Sequence, residues 1–291
     1  MKKKIKNNIR DVTRYLLGKK WYNYFRFFLT HHYIPDIRNP KSFSEKIMYR
    51  KLCVEPEIFS KLVDKFTVRD FVEEKIGNQY LTPIYLVTKA LSVKDLEKLP
   101  ISFVIKTTHG GGGNNVLVVN DKSEIDFISV INRFNYELSI KMGEKVDELF
   151  YDIESPKIII ESLLKNDDLS PLLDYKFHVF RNKGSIHYLL QINSEYNTPN
   201  CKKTLYNIDG TISDIQFSGY KKGNDNVQLP DNFNEMIKVV DLLSCDFEYV
   251  RIDLFNVNGN IYFGEMTFCP ASGWDKINSK DNDFKLGAMW G

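Results

Sequence analysis

Several features that would assign a protein at once are missing from this sequence. Its four cysteines are scattered and form no C-x-x-C pair, so neither a cysteine zinc site nor a disulfide framework is indicated. Its five histidines lack metal-ligand spacing, and the G-x-S-x-G, H-E-x-x-H and H-R-D-x-x-x-x-N motifs are absent. No run approaches the roughly 20 apolar residues of a membrane span. We therefore expect a globular protein of the reducing cytoplasm.

Positive charge is concentrated at the start of the chain. Residues 1–38 hold ten Lys or Arg and two Asp, a net 10 − 2 = +8, whereas the whole chain carries +2. Trp21, Phe25 and Phe28 lie among these charges, a mixture that can hold a helix at an anionic membrane surface. The alternative is a surface helix whose apolar side packs on its own domain. No nucleic-acid motif accompanies the charges, so no nucleic acid is expected as a partner.

The pattern of apolar residues predicts an α+β fold. Residues 1–85 are expected to form a mostly helical N-terminal region, followed by units at 86–160 and 161–291 in which strands mix with helices and hairpins. Further predictions are helices over 123–142 and 232–244, and a final hairpin formed by 249–255 and 261–268. Residues 174–195 and 202–217 alternate as strands do, with turns predicted at Asn182-Lys183-Gly184 and Asp209-Gly210.

That final hairpin carries the most informative polar residues. If its loop has an odd number of residues centred on Gly259, Asp253 lies opposite Glu265, and both share a face with Arg251 and Thr267. Paired carboxylates repel each other unless a cation separates them, and Mg²⁺ often binds one or two carboxylates together with substrate phosphates. The sequence leaves two readings open, a metal site or an Arg251–Glu265 surface ion pair with Asp253 solvated.

A run of four glycines, Gly110, Gly111, Gly112 and Gly113, separates two predicted strands. Glycines allow backbone N–H groups to surround a phosphate, and Lys106 on the preceding strand can add a positive charge. The run is neither a Walker A nor a G-x-G-x-x-G motif. It predicts a flap over phosphates or a merely flexible hairpin loop.

A third polar group follows the apolar strand that ends at Glu161. The segment Ser162, Leu163, Leu164 resembles a hinge in which backbone groups read an adenine edge between apolar neighbours. Asp174 and Lys176 follow on the next strand. The alternative is a strand-end carboxylate beside a solvated face.

In this order the motifs resemble the ATP-grasp superfamily, and specifically its teichuronopeptide-biosynthesis (TupA-like) branch. The resemblance runs from about residue 35 to the C-terminus. The motifs that carry it are Asn39–Lys46, Asp64-Lys65 with Arg69, Phe103–Lys106 with the glycine run, Asp174–Phe177, Arg251–Asp253 and Tyr262–Phe268.

The resemblance implies an ATP-grasp fold, in which two α+β subdomains grip ATP. It implies that Lys106 contacts the α-phosphate, that the glycines cover the β- and γ-phosphates, and that Glu161 to Leu164 form the adenine hinge. Asp174 would lie near the ribose and Lys176 near phosphate or substrate. Asp253 and Glu265 match the Mg²⁺ ligands, whereas Thr267 stands where many members have Asn.

The implied activity is that of an ATP-dependent carboxylate–amine ligase working through an acyl phosphate, with Arg251 and Lys176 as catalytic residues. The implied substrates are a uronic acid of a cell-surface polysaccharide, such as a capsule, or of its precursor, and an amino acid as amine donor. The basic N-terminus would then contact the inner face of the membrane peripherally. Two alternatives remain, a sugar or small-molecule kinase and a non-catalytic nucleotide- or glycan-binding protein.

Overall fold

The N-terminal region of the structure, a computed structural model, is mostly helical, as predicted. Residues 2–111, 115–194, 201–223 and 225–291 are described. Helices α1 (Lys2–His31), α2 (Phe43–Cys53), α3 (Glu57–Val63) and α4 (Val68–Ile76) precede the first strand. Within α1 the backbone is kinked at Gly18, where φ is 72° and ψ is 159°.

A capping box begins α2. The Ser42 hydroxyl accepts a hydrogen bond from the backbone N–H of Glu45, and the Glu45 carboxylate accepts one from that of Ser42. Glu45 also accepts hydrogen bonds from the backbone N–H groups of Asp36 and Lys41, at 2.9 Å each. The buried Glu45 carboxylate thereby fixes the path of the chain between α1 and α2.

Two antiparallel sheets follow, so the predicted α+β class is confirmed. The first has the strand order β1-β4-β2-β3 and the second β7-β6-β5-β8-β9. The first sheet comprises β1 (Ile84–Thr88), β2 (Phe103–Thr107), β3 (Val116–Val119) and β4 (Ile158–Glu161). The second comprises β5 (Asp174–Asn182), β6 (Ser185–Ser194), β7 (Lys202–Tyr206), β8 (Tyr249–Val257) and β9 (Asn260–Thr267).

Five later α-helices lie within the described residues. They are α5 (Val93–Glu97), α6 (Phe127–Glu137), α7 (Met142–Val146), α8 (Phe233–Ser244) and α9 (Lys280–Met289). Each sheet buries one apolar face. Phe103 and Ile160 of the first sheet lie in one core with Phe134 of α6. Ile252 of the second sheet lies in another core with Met236 of α8. Burial of each such side chain stabilises the fold by about 1.5–3 kcal/mol.

Two predicted elements are shorter than expected. The helix predicted over 123–142 is interrupted because Asp126 caps a new helix, accepting a hydrogen bond from the backbone N–H of Ile128 at 3.0 Å. Of the residues predicted to alternate over 202–217, those from Lys202 to Tyr206 form a strand, and the predicted turn at Asp209-Gly210 is present, where Asp209 accepts a hydrogen bond from the backbone N–H of Thr211. Beyond the turn, Ile212 pairs with Tyr206 only as an isolated bridge, so the second arm is not a regular strand. The helix predicted at 232–244 is present as α8.

A search of the helices within these described ranges finds none with both the length and the apolar character needed to cross a membrane.

Candidate active site

The β8–β9 hairpin has a shorter turn than predicted. Val257 pairs with Asn260, so the turn has two residues, Asn258 and Gly259, with φ angles of 51° and 81°. Positive φ at both positions is typical of a type I′ hairpin. The predicted loop with an odd number of residues is therefore wrong, and this turn alone would place Asp253 opposite Gly264.

A β-bulge at Gly264 nevertheless brings Asp253 opposite Glu265. The register shifts by one residue, from Leu254 paired with Phe263 to Asp253 paired with Glu265. A Cβ at Gly264 would lie 3.1 Å from the Asp253 carbonyl oxygen and 3.2 Å from a ring carbon of Phe255. The predicted carboxylate pairing is confirmed, but the bulge causes it.

Five charged side chains form what we call the hairpin cluster, namely Asp174, Lys176, Arg251, Asp253 and Glu265. Arg251 donates two hydrogen bonds to Asp253, of 2.7 and 2.8 Å, and one of 2.7 Å to Glu265. Lys176 donates a short hydrogen bond to Asp253 and lies 2.5 Å from Asp174. Three carboxylates thus surround two cations.

Neither predicted alternative describes this cluster fully. The Arg251–Glu265 ion pair is present, but Asp253 is only 2% exposed rather than solvated. Both carboxylate oxygens of Asp253 accept hydrogen bonds from cations. Thr267 is also buried, and its hydroxyl donates to Glu265 at 3.2 Å.

The hairpin cluster has oxygen donors of the type that Mg²⁺ prefers, and one of them, the buried Oδ1 of Asp174, has no hydrogen-bond partner. Within the described residues, no group of three or more His, Cys, Asp or Glu is arranged to hold a metal ion. A metal ion at this cluster would therefore need further oxygen ligands from a phosphate or from water.

The two paired carboxylates have different proton affinities. Burial raises the pKa of Asp253 to about 6, against the opposing charges of Arg251 and Lys176. Burial alone would also raise the pKa of Glu265, but Arg251, Lys65 and Lys176 together lower it to about 2. Both groups are mainly ionised at neutral pH.

A second charge cluster lies on the first sheet. The Lys106 ammonium on β2 is 2.6 Å from the Glu161 carboxylate at the end of β4, and Arg69 of α4 is 3.6 Å from the same carboxylate. The predicted α-phosphate lysine and the first residue of the predicted adenine hinge therefore form an ion pair. Beyond Glu161, Ser162 donates its backbone N–H to the Pro83 carbonyl at 2.9 Å, which continues the pairing with the segment before β1. Leu163 and Leu164 are half-buried there.

Lys65 lies against the end of β2, where its backbone N–H donates to the Thr108 carbonyl oxygen at 2.9 Å, and the sequence prediction gave it no role. Its ammonium donates a 2.6 Å hydrogen bond to the carbonyl oxygen of Gly110. Burial lowers the pKa of Lys65, while the negative charge of Glu265 raises it and the positive charge of Lys106 lowers it. Lys65 therefore interacts electrostatically with both sheets. In the sequence, the one indication of a role for Lys65 is its place in the Asp64-Lys65 motif.

The start of the glycine run is fixed in place. Gly110 has a φ of 70°, and a Cβ there would lie 2.9 Å from the Met142 side chain, so glycine is needed. Gly111 is exposed and has open space around it. The predicted flap residues Gly112 and Gly113 lie outside the described residues.

His178 is a further buried polar group that the sequence prediction missed. On β5 it pairs with Arg251 of β8, and its ring nitrogens lie 2.9 Å from the Tyr249 hydroxyl and 3.0 Å from the Gln191 amide oxygen. Burial, and then the charge of Arg251, lower the pKa of His178 to about 3. A neutral imidazole therefore supports the strand that carries Arg251.

A family model described as TupA-like ATPgrasp matches residues 45–290. A search of curated proteins finds no match.

The solved structures with similar folds include three synthetases and ligases. N5-carboxyaminoimidazole ribonucleotide synthetase in its ADP complex is 13% identical, with a TM-score of 0.44 over 77% of this chain and 50% of that chain. D-alanine–D-alanine ligase from Helicobacter pylori is 14% identical, with a TM-score of 0.45 over 79% and 61%. The Bacillus anthracis D-alanine–D-alanine ligase complexed with ATP is 18% identical, with a TM-score of 0.39 over 78% and 65%. The present chain thus spans less than two thirds of each.

Proposed function

Because the chain belongs to the TupA-like ATP-grasp family, we propose that it is an ATP-dependent carboxylate–amine ligase. The observation that carries this proposal is the contact of Lys65 with the start of the glycine run, where its ammonium donates a 2.6 Å hydrogen bond to the Gly110 carbonyl oxygen. The charges of Glu265 on one sheet and Lys106 on the other both act on the pKa of Lys65. A triphosphate with its metal ion requires this combination of charges.

In this proposal ATP binds between the two clusters. Lys106 contacts the α-phosphate, the Gly110 to Gly113 run covers the β- and γ-phosphates, and Asp174 lies near the ribose hydroxyls. The adenine binds the Glu161 to Leu164 segment. The 2.6 Å contact between Lys106 and Glu161 supports this assignment, because it joins the two halves of the nucleotide site before ATP arrives.

Mg²⁺ would be held by Asp253 and Glu265, with Thr267 as a further oxygen donor, and when bound it neutralises charge on the phosphates. Arg251 is held by hydrogen bonds to both carboxylates, so its guanidinium is oriented before substrate binds. Such preorganisation lowers the energy needed to stabilise developing charge.

The proposed reaction has two steps. A carboxylate oxygen of the substrate attacks the γ-phosphorus, the bond to the β-phosphate oxygen breaks, and ADP leaves. The amine nitrogen then attacks the acyl carbon, the bond to the phosphate oxygen breaks, and the amine loses a proton as inorganic phosphate leaves. Arg251 binds the acyl phosphate and Lys176 the transferring phosphoryl group, which keeps both charges near cations.

The substrates are proposed from the family branch. The acid is a uronic acid of a cell-surface polysaccharide or of its precursor, and the amine is an amino acid. Two fixed cations, Lys176 and Arg251, support an anionic substrate at this position, since both are side chains with little exposure, 11% each.

Mass spectrometry of the product tests the proposal. The full chain is incubated with ATP, Mg²⁺, pooled UDP-uronic acids and pooled amino acids, beside Glu265→Gln as an inactive control. The expected product joins one acid and one amine with loss of water, and ADP and phosphate appear in equal amounts only when both substrates are present. Phosphate found on the sugar without an amine would instead identify a kinase. ATP binding without ADP formation would identify a non-catalytic protein.

A further inference from the structure

Helix α1 has one face fixed to the rest of the protein. Phe27 is 1% exposed in a small core with Ile37 and Met48. Asn23 donates a 2.8 Å hydrogen bond to the buried carboxylate of Asp147, and His31 lies 3.0 Å from the Gly273 carbonyl oxygen. The predicted packing of this helix on its own domain is therefore present.

The opposite side of α1 exposes a row of large apolar side chains. Trp21 is 67% exposed, Phe25 49%, Phe28 48% and Leu29 55%. Their spacing of four, three and one residues places them on one side of a helix. Ile34, just beyond α1, is 77% exposed. We call these five residues the aromatic face. A shallow apolar groove of about 400 Å³ runs along it, lined also by Leu17, Tyr24 and Pro35.

A basic pocket lies next to this groove. It has a volume of about 520 Å³, and its lining includes Lys19, Lys20 and Arg38. Tyr24 lines both the pocket and the groove, so the two are neighbours. An apolar surface and a cluster of cations therefore adjoin. No Asp or Glu occurs in residues 12–35, although the exposed Asp36 lies beside the pocket and Lys19 is 3.8 Å from the Asp147 carboxylate.

We propose that the aromatic face and the basic pocket dock the protein on an anionic phospholipid membrane. Phospholipids place a phosphate directly beside acyl chains, which matches a cationic pocket next to an apolar groove. Aromatic side chains insert at the boundary between headgroups and acyl chains, while Lys and Arg bind anionic headgroups. The family match begins at residue 45, so α1 and the aromatic face lie outside it.

The inner contacts of α1 make such docking compatible with the folded protein. Because Asn23, Phe27 and His31 already bind the protein core, the aromatic face can enter the lipid interface without the helix leaving its place. Docking of a helix that is already folded avoids the ordering cost that a disordered segment pays on binding.

Vesicle flotation of the full chain tests the proposal. Phosphatidylcholine vesicles are compared with vesicles that also contain phosphatidylglycerol. One variant combines Phe25→Ser with Phe28→Ser, and its control combines Ile128→Ser with Leu242→Ser, which are exposed elsewhere. A second variant combines Lys19→Ala, Lys20→Ala and Arg38→Ala, and its control changes the exposed Lys89, Lys94 and Lys98 to Ala. Thermal unfolding of every variant confirms that it is folded.

The wild type is expected to float only with the anionic vesicles, and each test variant to lose about tenfold or more in binding while the controls keep it. The fluorescence of Trp21, isolated by comparison with Trp21→Phe, is expected to shift to shorter wavelength on binding.

Three results would overturn the proposal. They are no flotation with anionic vesicles, an equal loss in the test and control variants, and self-association in solution that depends on Phe25 and Phe28 without flotation. The last would identify the aromatic face as an interface between two copies of the chain.

Discussion

Arg251 binds Asp253 through two hydrogen bonds, of 2.7 Å from Nε to Oδ1 and 2.8 Å from Nη2 to Oδ2. The arrangement is bidentate, the strongest geometry for a guanidinium and a carboxylate. Removal of either partner therefore leaves an uncompensated buried charge, which is costly. The two proposed metal ligands, Asp253 and Glu265, should therefore differ in how much their substitution lowers the free energy of unfolding.

Asp253→Asn and Glu265→Gln should each abolish Mg²⁺-dependent ADP formation. Asp253→Asn should also lower the free energy of unfolding by about 3 kcal/mol, because Arg251 and Lys176 lose their shared buried anion. Glu265→Gln should lower it less, since the Glu265 side chain is 36% exposed. Coupled ADP assays and urea denaturation measure the two effects. Full turnover in both variants would remove the metal assignment.

Lys106→Ala should weaken ATP binding by about 1.5–3 kcal/mol, through loss of a charge-assisted contact. Titration calorimetry with a non-hydrolysable ATP analogue measures this change. Lys106 also neutralises Glu161 at 2.6 Å, so a double-mutant cycle with Glu161→Gln is the control. If Lys106→Ala has no effect once Glu161 is neutral, Lys106 serves the carboxylate and not the nucleotide.

Lys65→Met should raise the dissociation constant for ATP by about tenfold or more, because a cation near both clusters is lost. Lys61→Met, an exposed change on α3, is the matched control and should bind ATP as the wild type does. Equal affinities for ATP in the wild type, Lys65→Met and Lys61→Met would show that Lys65 serves only to bind the Gly110 carbonyl oxygen.

Gly264→Ala should lower both stability and turnover. Its Cβ would crowd the Asp253 carbonyl oxygen at 3.1 Å, and crowding of this kind costs about 1–3 kcal/mol. Gly259→Ala, at a φ of 81° in the turn, should lower the free energy of unfolding by about 1–2 kcal/mol. Only the first should reduce kcat, because only the first disturbs the carboxylate pair. Equal kcat values in the two variants would contradict a role for the bulge in catalysis.

His178 should make the protein acid-sensitive. Its pKa is about 3 in the fold and roughly 6.5 in an unfolded chain, so the unfolded state binds more protons between these values. Stability is therefore lost as pH falls below about 6.5, and a single such group accounts for about 2 kcal/mol between about pH 7 and about pH 5. Urea denaturation should show a smaller loss in His178→Gln. The same loss in both proteins would mean that other groups cause it.

Local patterns predicted the parts of the fold that depend on neighbouring residues. Alternation of apolar and polar residues predicted β5, β6 and the β8–β9 hairpin, and it placed Ile252 and Met266 on the buried face. The capping residue Asp126, however, divided one predicted helix, and the residues after the predicted turn at Asp209-Gly210 form only an isolated bridge. Single polar side chains of this kind outweigh a weak periodic signal.

The site was less predictable where it depends on distant parts of the chain. Apart from the glycine itself, nothing in the alternation of apolar and polar residues along β9 indicates a bulge. Gly264 could therefore not be distinguished from an ordinary strand residue. Lys65 is far in sequence from both Gly110 and Glu265, and only the folded chain brings these residues close.

The bulge at Gly264 also has a genetic consequence. With the two-residue turn, an unbroken ladder pairs position 253 with position 264, and the extra residue Gly264 moves the partner of Asp253 to Glu265. A deletion of Gly264 would therefore leave a regular hairpin in which Asp253 still lies opposite the glutamate. Related chains can lose this one residue and still keep the same two carboxylates opposite each other.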